Sequence, residues 1–312
     1  MTTNNRREFL KKSSLFAGAM MVSSPWQLFS KENLIEKFNL PGQEIKILCS
    51  SDLNLSNSSV FQGMGGLQGI RGEFLKGAEG ILLDAGDFLS SVKDFSAHKL
   101  FVQEMNDTGY HCCNLGHNEL KFGEAYFSSL LPFINFHIVN CNYDLENPSL
   151  KEKIKAYHIL HYGGKKIGIT GVGPFINGIG FKDPLESVER ISTFLKEEEK
   201  VDVIICLSHL DYQTSSQNFS NLDLAAQTTK VDFIAGGHFG NYLSGNLILK
   251  NAIGNDVVLC GGGNKGLLIS QIEIDLTGIN AYNFHKNNVI IPGLKDHKKM
   301  PGILQALNSQ PV

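Results

Sequence analysis

The sequence predicts an α/β fold, and three observations carry that expectation. Five short apolar runs each end in polar residues able to bind a metal, helical segments lie between them, and the polar ends recur in one order along 312 residues. The runs are Ile45-Lys-Ile-Leu-Cys-Ser-Ser-Asp52, Gly80-Ile-Leu-Leu-Asp-Ala-Gly-Asp87, Tyr110-His-Cys-Cys-Asn-Leu-Gly-His117, Val201-Asp-Val-Ile-Ile-Cys-Leu-Ser-His209 and Val231-Asp-Phe-Ile-Ala-Gly-Gly-His238. Near-continuous Ile, Val and Leu closed by Gly or Ser reads as strands buried on both faces. Residues 67–77, 99–106, 122–131, 184–199 and 222–228 read as helices, and 165–171, 256–260 and 268–275 as further strands. Such alternation implies a mainly parallel sheet covered by helices. Beyond about residue 277 the pattern weakens to a peripheral hairpin and a loose end.

Composition bounds the function. Apolar residues make up 42% and charged residues 19%, an ordinary globular mixture. A formal net charge of −3 gives no reason to expect nucleic acid or an anionic membrane surface as partner, and no nucleic-acid partner is expected. Asn5-Arg6-Arg7-Glu8-Phe9-Leu10-Lys11, followed by an apolar stretch from Leu15 to Val22, fits a twin-arginine export signal; an amphipathic helix that happens to carry Arg-Arg is the alternative. The stretch is too short to span a bilayer, and the absence of a clean A-x-A site leaves cleavage or retention as an anchor open. The expected divisions are a signal peptide at 1–30, a linker at 31–43, one domain at 44–276 and a C-terminal extension at 277–312. The expected location is the periplasm or cell envelope. Cys49, Cys112, Cys113, Cys141, Cys206 and Cys260 all fall in apolar strand-like runs without a CxxC pair, and are expected to be free thiols.

The polar strand ends carry the chemistry. Asp52 and Asn54, then Asp87, then His117 and Asn118, then His209, then His238 follow one another at predicted strand C-termini, where sites of such folds gather. A lone His or Asp there is usually a cap; the succession has the make-up of a metal shell on rigid elements. The Gly63-Met-Gly-Gly-Leu-Gln-Gly69 segment follows no strand, so it reads as close backbone packing and not as a dinucleotide loop.

These motifs resemble the calcineurin-like metallophosphoesterases, and the 5′-nucleotidase branch in particular. The resemblance rests on Ile47-Leu-Cys-Ser-Ser-Asp-Leu-Asn54, Leu83-Asp-Ala-Gly-Asp87, Leu115-Gly-His-Asn-Glu-Leu-Lys-Phe-Gly123, Asn140-Cys-Asn-Tyr-Asp144, Cys206-Leu-Ser-His-Leu210 and Ile234-Ala-Gly-Gly-His238. It runs from about residue 44 to 276. It implies a four-layer αββα sandwich with metals at the strand C-termini, and a metal-dependent phosphoester hydrolase.

The resemblance also shows where this chain departs. One implied metal position falls on Asp87, His117, His209 and His238, with His117 where the family has Asn, and imidazole is a competent ligand for Zn, Mn or Fe. The other falls on Asp52, Asn54, Asp87 and Gly240, where two nitrogen donors are missing, so one ion is expected and not two. Asn118 stands at the family's catalytic histidine and Lys121 at its partner aspartate; an amide cannot deliver a proton. In an alternative reading the order is swapped and His117 takes the acid role. Three outcomes follow: a phosphohydrolase of altered activity, a catalytically inactive metal- or phosphate-binding subunit acting with an active paralogue, or a domain whose pocket has fallen out of use. The expected ligand is a phosphate ester or nucleotide-like small molecule. The family's nucleoside-gripping C-terminal domain lies outside the resemblance, so a separately encoded domain would supply it, or nucleotide is not the ligand.

Overall fold

The computed structural model describes residues 36–38, 44–76, 80–162, 164–212, 218–237, 246–275, 283–295 and 297–308. In chain order the strands are β1 (Glu36–Phe38), β2 (Glu44–Ser50), β3 (Gly80–Asp84), β4 (Cys112–Cys113), β5 (His137–Val139), β6 (Tyr143–Asp144), β7 (Ile154–Lys155) and β8 (Tyr157–Tyr162). They continue with β9 (Lys165–Val172), β10 (Gly180–Phe181), β11 (Val203–Ser208), β12 (Phe233–Gly236), β13 (Leu247–Lys250), β14 (Asp256–Gly261), β15 (Ile269–Asp275) and β16 (Asn283–Ile290). The described α-helices are α1 (Gly66–Lys76), α2 (Phe95–Thr108), α3 (His117–Leu120), α4 (Glu124–Ser128), α5 (Pro148–Lys153), α6 (Pro184–Glu197), α7 (Asn221–Gln227) and α8 (Met300–Asn308).

One sheet runs β16-β15-β2-β3-β4-β5-β7, and a second runs β1-β8-β9-β11-β12-β14-β13. Each has a parallel centre, β2 to β7 in the first and β9 to β14 in the second, so the C-termini of those strands share one edge. Antiparallel strands finish both sheets: β15 pairs β2, β16 pairs β15, β8 pairs β9 and β13 pairs β14.

The sheets pack face to face. Ile47, Leu83 and Cys112 of the first meet Ile169, Ile205 and Phe233 of the second in one buried cluster. Their neighbours Leu48, Leu82 and Cys113 point the other way and pack with Leu67 and Ile70 of α1 and Phe101, Val102 and Met105 of α2. Successive residues thus bury on opposite faces, which is why the strands read as unbroken apolar runs. On the second sheet α6 buries Val188, Ile191 and Leu195 at helical spacing, each contributing about 1.5–3 kcal/mol relative to exposure. The result is a layered α/β sandwich.

Local chemistry sets the helix ends. Asp94 caps α2 by accepting from Ala97 N, and Gly109 closes it in the left-handed region. Asp183 followed by Pro184 starts α6, and Ser220 with Asp223 forms a capping box on α7. The helix expected at 122–131 is shorter: α4 follows Gly123, whose φ of 84° lies outside helical space, and Pro132 opens a separate 3₁₀ turn. The run 110–117 yields only the two residues of β4 before the chain turns into α3. Strand β8, unread in the sequence because histidines interrupt it, buries His158 stacked on His137 with ring centroids 3.8 Å apart.

Segment 36–38 of the expected linker pairs in parallel with β8; beyond residue 277, β16 pairs with β15 at the edge of the first sheet, and helix α8 stands where a loose end was expected. The export motif and its apolar stretch lie outside the described residues. Among the described residues no helix is long and apolar enough to cross a membrane. All six cysteines are buried free thiols, and burial pushes Cys49 up to about 12 and Cys141 up to about 11. Such thiols are chemically quiet. A Cβ added at Gly66 would strike the Ser58 carbonyl, so the glycine-rich segment does serve close packing.

Candidate metal centre

The centre forms where the loops after β2, β3, β4 and β11 meet at the C-terminal edge. The first two loops are zipped together beyond their strands: Ala85 N donates to Ser50 O (2.9 Å), Asp52 N to Gly86 O (2.9 Å), Asn54 N to Asp87 O (3.1 Å) and Leu55 N to Phe88 O (3.1 Å). Along this zipper Asp52, Asn54, Leu55 and Asp87 have φ between 47° and 58°. Asp and Asn tolerate left-handed backbone better than most residues, and such conformations persist only where surroundings enforce them.

Glu119 does much of the enforcing. It is fully buried; its Oε2 accepts from Asp87 N (3.0 Å) and Gly116 N (2.8 Å), and its Oε1 from Leu89 N (2.9 Å). One carboxyl therefore ties the loop bearing Asp87 to the loop bearing His117. Burial raises the Glu119 carboxyl to about 8, with the Asp87 charge adding to it and the bonds from Leu89 and Gly116 opposing it.

Behind the zipper lies a second buried carboxyl. Asp84 Oδ2 accepts from Ser50 Oγ (2.6 Å), Oδ1 accepts from Gly86 N (2.9 Å), and Ser50 Oγ is 2.7 Å from Tyr110 Oη. Burial lifts Asp84 to about 7. The Asn140–Asp144 motif ties the sheets together near the same edge. Asn114 bridges Asn140 and the Val172 carbonyl, while Asn142 exchanges two hydrogen bonds with Gly173.

Asp87, His117 and His209 converge: one ligand atom from each lies within 4.8 Å of the other two. His209 is buried, with Nδ1 3.1 Å from the Ala85 carbonyl and Nε2 3.4 Å from Asp87 Oδ2 and 3.7 Å from Asp52 Oδ1. A carbonyl only accepts, so Nδ1 carries its proton there and Nε2 faces the carboxylates. Burial opposes charge on this imidazole, but Asp87 and Asp52 overcome it and raise His209 to about 10. Burial likewise pushes the Asp87 carboxyl up, but His209, the Asn118 N–H and His117 together more than offset it, so Asp87 is held below the ordinary carboxylate range. Glycines let the loops close around the ring. A Cβ at Gly86 would stand 2.7 Å from Gly116 N and 3.0 Å from His209 Nδ1, and one at Gly237 2.6 Å from Nδ1.

The donor set fits a divalent ion. It offers one carboxylate and two imidazoles, with His209 oriented through a backbone carbonyl in the way metal-binding histidines usually are. His238 and Gly240 lie outside the described residues. Asp52 adjoins the triad through His209. Asn54 turns elsewhere: its Oδ1 accepts from Asn118 Nδ2 (2.9 Å) and its Nδ2 donates to Asp52 O (3.0 Å). Asn118 is buried, donating its second amide hydrogen to Leu89 O (3.0 Å) and its backbone N–H to Asp87 Oδ1 (2.8 Å). Lys121 is exposed at the end of α3.

Sequence reading gave Glu119 and Asp84 no role. A signal existed for Glu119, since a glutamate three residues after Gly116 at a helix start has capping-box spacing. For Asp84, a carboxylate inside an apolar run was the available sign.

No family model matches the chain. A 5′-nucleotidase of Vibrio cholerae is 27% identical over 182 residues, 52% of this chain and 32% of that protein. The 5′-nucleotidase precursor of Thermus thermophilus superposes with a TM-score of 0.67 at 23% identity, covering 80% of this chain and 54% of the other. The calcineurin-like phosphoesterase YfkN of Bacillus subtilis superposes with a TM-score of 0.60 at 19% identity, covering 80% and 90%. The chain therefore shares the layered sandwich fold of these solved phosphoesterases and is similar in sequence to a 5′-nucleotidase. It spans about a third of the length of the Vibrio relative.

Proposed function

We propose that the chain is a metal-dependent phosphoester hydrolase working from a single divalent ion held by Asp87, His117 and His209, with His238 as a fourth ligand. The convergence of those three side chains carries the reading. Zn, Mn or Fe suits the mixed carboxylate and imidazole set. When bound, such an ion polarises a phosphoryl oxygen and lowers the pKa of water beside it. The chain's own residues do the rest. Glu119 and the zipper hold Asp87 in place, Ala85 holds the His209 tautomer, and the glycines close the loops around the ring. Phosphate esters, nucleotides among them, are the proposed substrates, and export to the periplasm the proposed location. A separately encoded domain is the proposed source of any nucleoside grip.

A second reading has one observation in its favour. The Asn118–Asn54 bond turns the position expected to supply a catalytic proton into a structural link, as suits a metal- or phosphate-binding subunit without turnover. Assays of 4-nitrophenyl phosphate and nucleotides with added Mn or Zn separate the two. The hydrolase reading predicts turnover abolished in His209→Ala and Asp87→Ala, whereas bound metal without turnover of any of these substrates supports the binding subunit.

A further inference from the structure

With His117 and His209 given to the ion, as proposed above, Asn118, Glu119, Asp84 and Tyr143 have no proton to offer a departing group. Asn118 has two amide hydrogens, and both are spent, on Asn54 Oδ1 and on the Leu89 carbonyl. Glu119 has both oxygens occupied by backbone N–H groups and is fully buried. Asp84 is equally buried, between Ser50 and Gly86. Tyr143 donates its hydroxyl to the Pro174 carbonyl at 2.9 Å. Asp52 lies against His209, and Lys121 is exposed at the end of α3.

Phosphoryl transfer to water makes demands on such a site. The oxygen of water forms a bond to phosphorus, the bond from phosphorus to the leaving oxygen breaks, and its electron pair stays on that oxygen. Water's surplus proton passes to solvent, and the leaving group departs as an anion that solvent later protonates. An alkoxide is nearly as basic as hydroxide, whose conjugate acid has a pKa of about 15.7. A phosphate leaving group is far less basic, with a second pKa of about 6. Without an acid the first departs slowly and the second readily. We infer that this site selects phosphoanhydrides and aryl phosphates over alkyl phosphate monoesters, because the amide hydrogens of Asn118 are committed to Asn54 and Leu89. The inference rests on the hydrolase reading above.

The test compares kcat/KM for inorganic pyrophosphate, 4-nitrophenyl phosphate and glycerol phosphate with the full chain and added Mn. The expected result is a glycerol phosphate rate lower by at least about 10²–10⁴-fold, the contribution a general acid ordinarily makes. Asn118→His is expected to narrow that gap by tenfold or more. Should that variant fail to fold, a series of substituted phenyl phosphates on the unaltered chain gives the same information, and the rate is expected to fall steeply as the leaving phenol becomes more basic. A shallow slope, or glycerol phosphate turned over within tenfold of 4-nitrophenyl phosphate, overturns the inference and leaves the hydrolase reading standing. No turnover of any of the three overturns the hydrolase reading and this inference with it.

Discussion

His209 Nε2 stands 3.4 Å from Asp87 Oδ2 while its Nδ1 is held by the Ala85 carbonyl, so this imidazole has one nitrogen committed to the fold and one to the site. The proton that Asp87 and Asp52 retain on His209 sits on the side where an ion would bind, so metal and proton compete. In chelator-treated protein the raised value of about 10 means the pair's stabilisation is full below the ordinary histidine value of 6.5 and is lost as pH rises through about 10. Added metal reverses the trend, because its affinity rises as the proton leaves. Thermal unfolding between pH 6 and pH 10, with and without Mn, checks both signs: the metal-induced rise in Tm should grow with pH.

Gly86 is where backbone and ring leave no room. Its φ of 114° and the close approach to Gly116 N and His209 Nδ1 predict that Gly86→Ala loses about 1–3 kcal/mol to overpacking beyond its backbone strain, together with metal affinity. Gly178 is the control. Its φ is 82° and nothing lies within 4 Å of an added Cβ, so Gly178→Ala should show the backbone cost alone and bind metal normally. Denaturant unfolding and metal titration of the two variants make the comparison.

Glu119 predicts a different defect. In Glu119→Gln an amide nitrogen replaces one carboxyl oxygen and opposes at least one of the three N–H donors from Asp87, Leu89 and Gly116. A buried N–H left without an acceptor costs about 1–3 kcal/mol, so Tm should drop and metal affinity should weaken as the two loops part. Unchanged Tm and affinity would remove Glu119 from the account.

Much of this was legible in the sequence, for identifiable reasons. The strands leading to Asp52, Asp87 and His209 are buried on both faces, so their apolar runs were unmistakable, and their parallel order placed the polar ends at one edge. Helices α6 and α7 fall within the segments 184–199 and 222–228 that the sequence marked as helical. What escaped was set by tertiary context. Strand β8 was obscured by His158, which is buried with His137 stacked on it across the sheets. Glu119 and Asp84 are zero-exposure carboxyls whose partners come mostly from elsewhere in the chain, so capping-box spacing and a carboxylate in an apolar run marked the residues without announcing what they hold. The departures at Asn54 and Asn118 were visible as residue types, but their hydrogen bond to each other was not.

The central claim is that Asp87, His117 and His209 form one metal centre. Equilibrium dialysis of the purified chain against Zn or Mn, followed by elemental analysis, tests it most directly. The account predicts one tightly held ion per chain, lost in His209→Ala and in Asp87→Ala while circular dichroism confirms that both variants remain folded. A chain that binds no ion, or that binds it equally well in the His209→Ala variant, would contradict it.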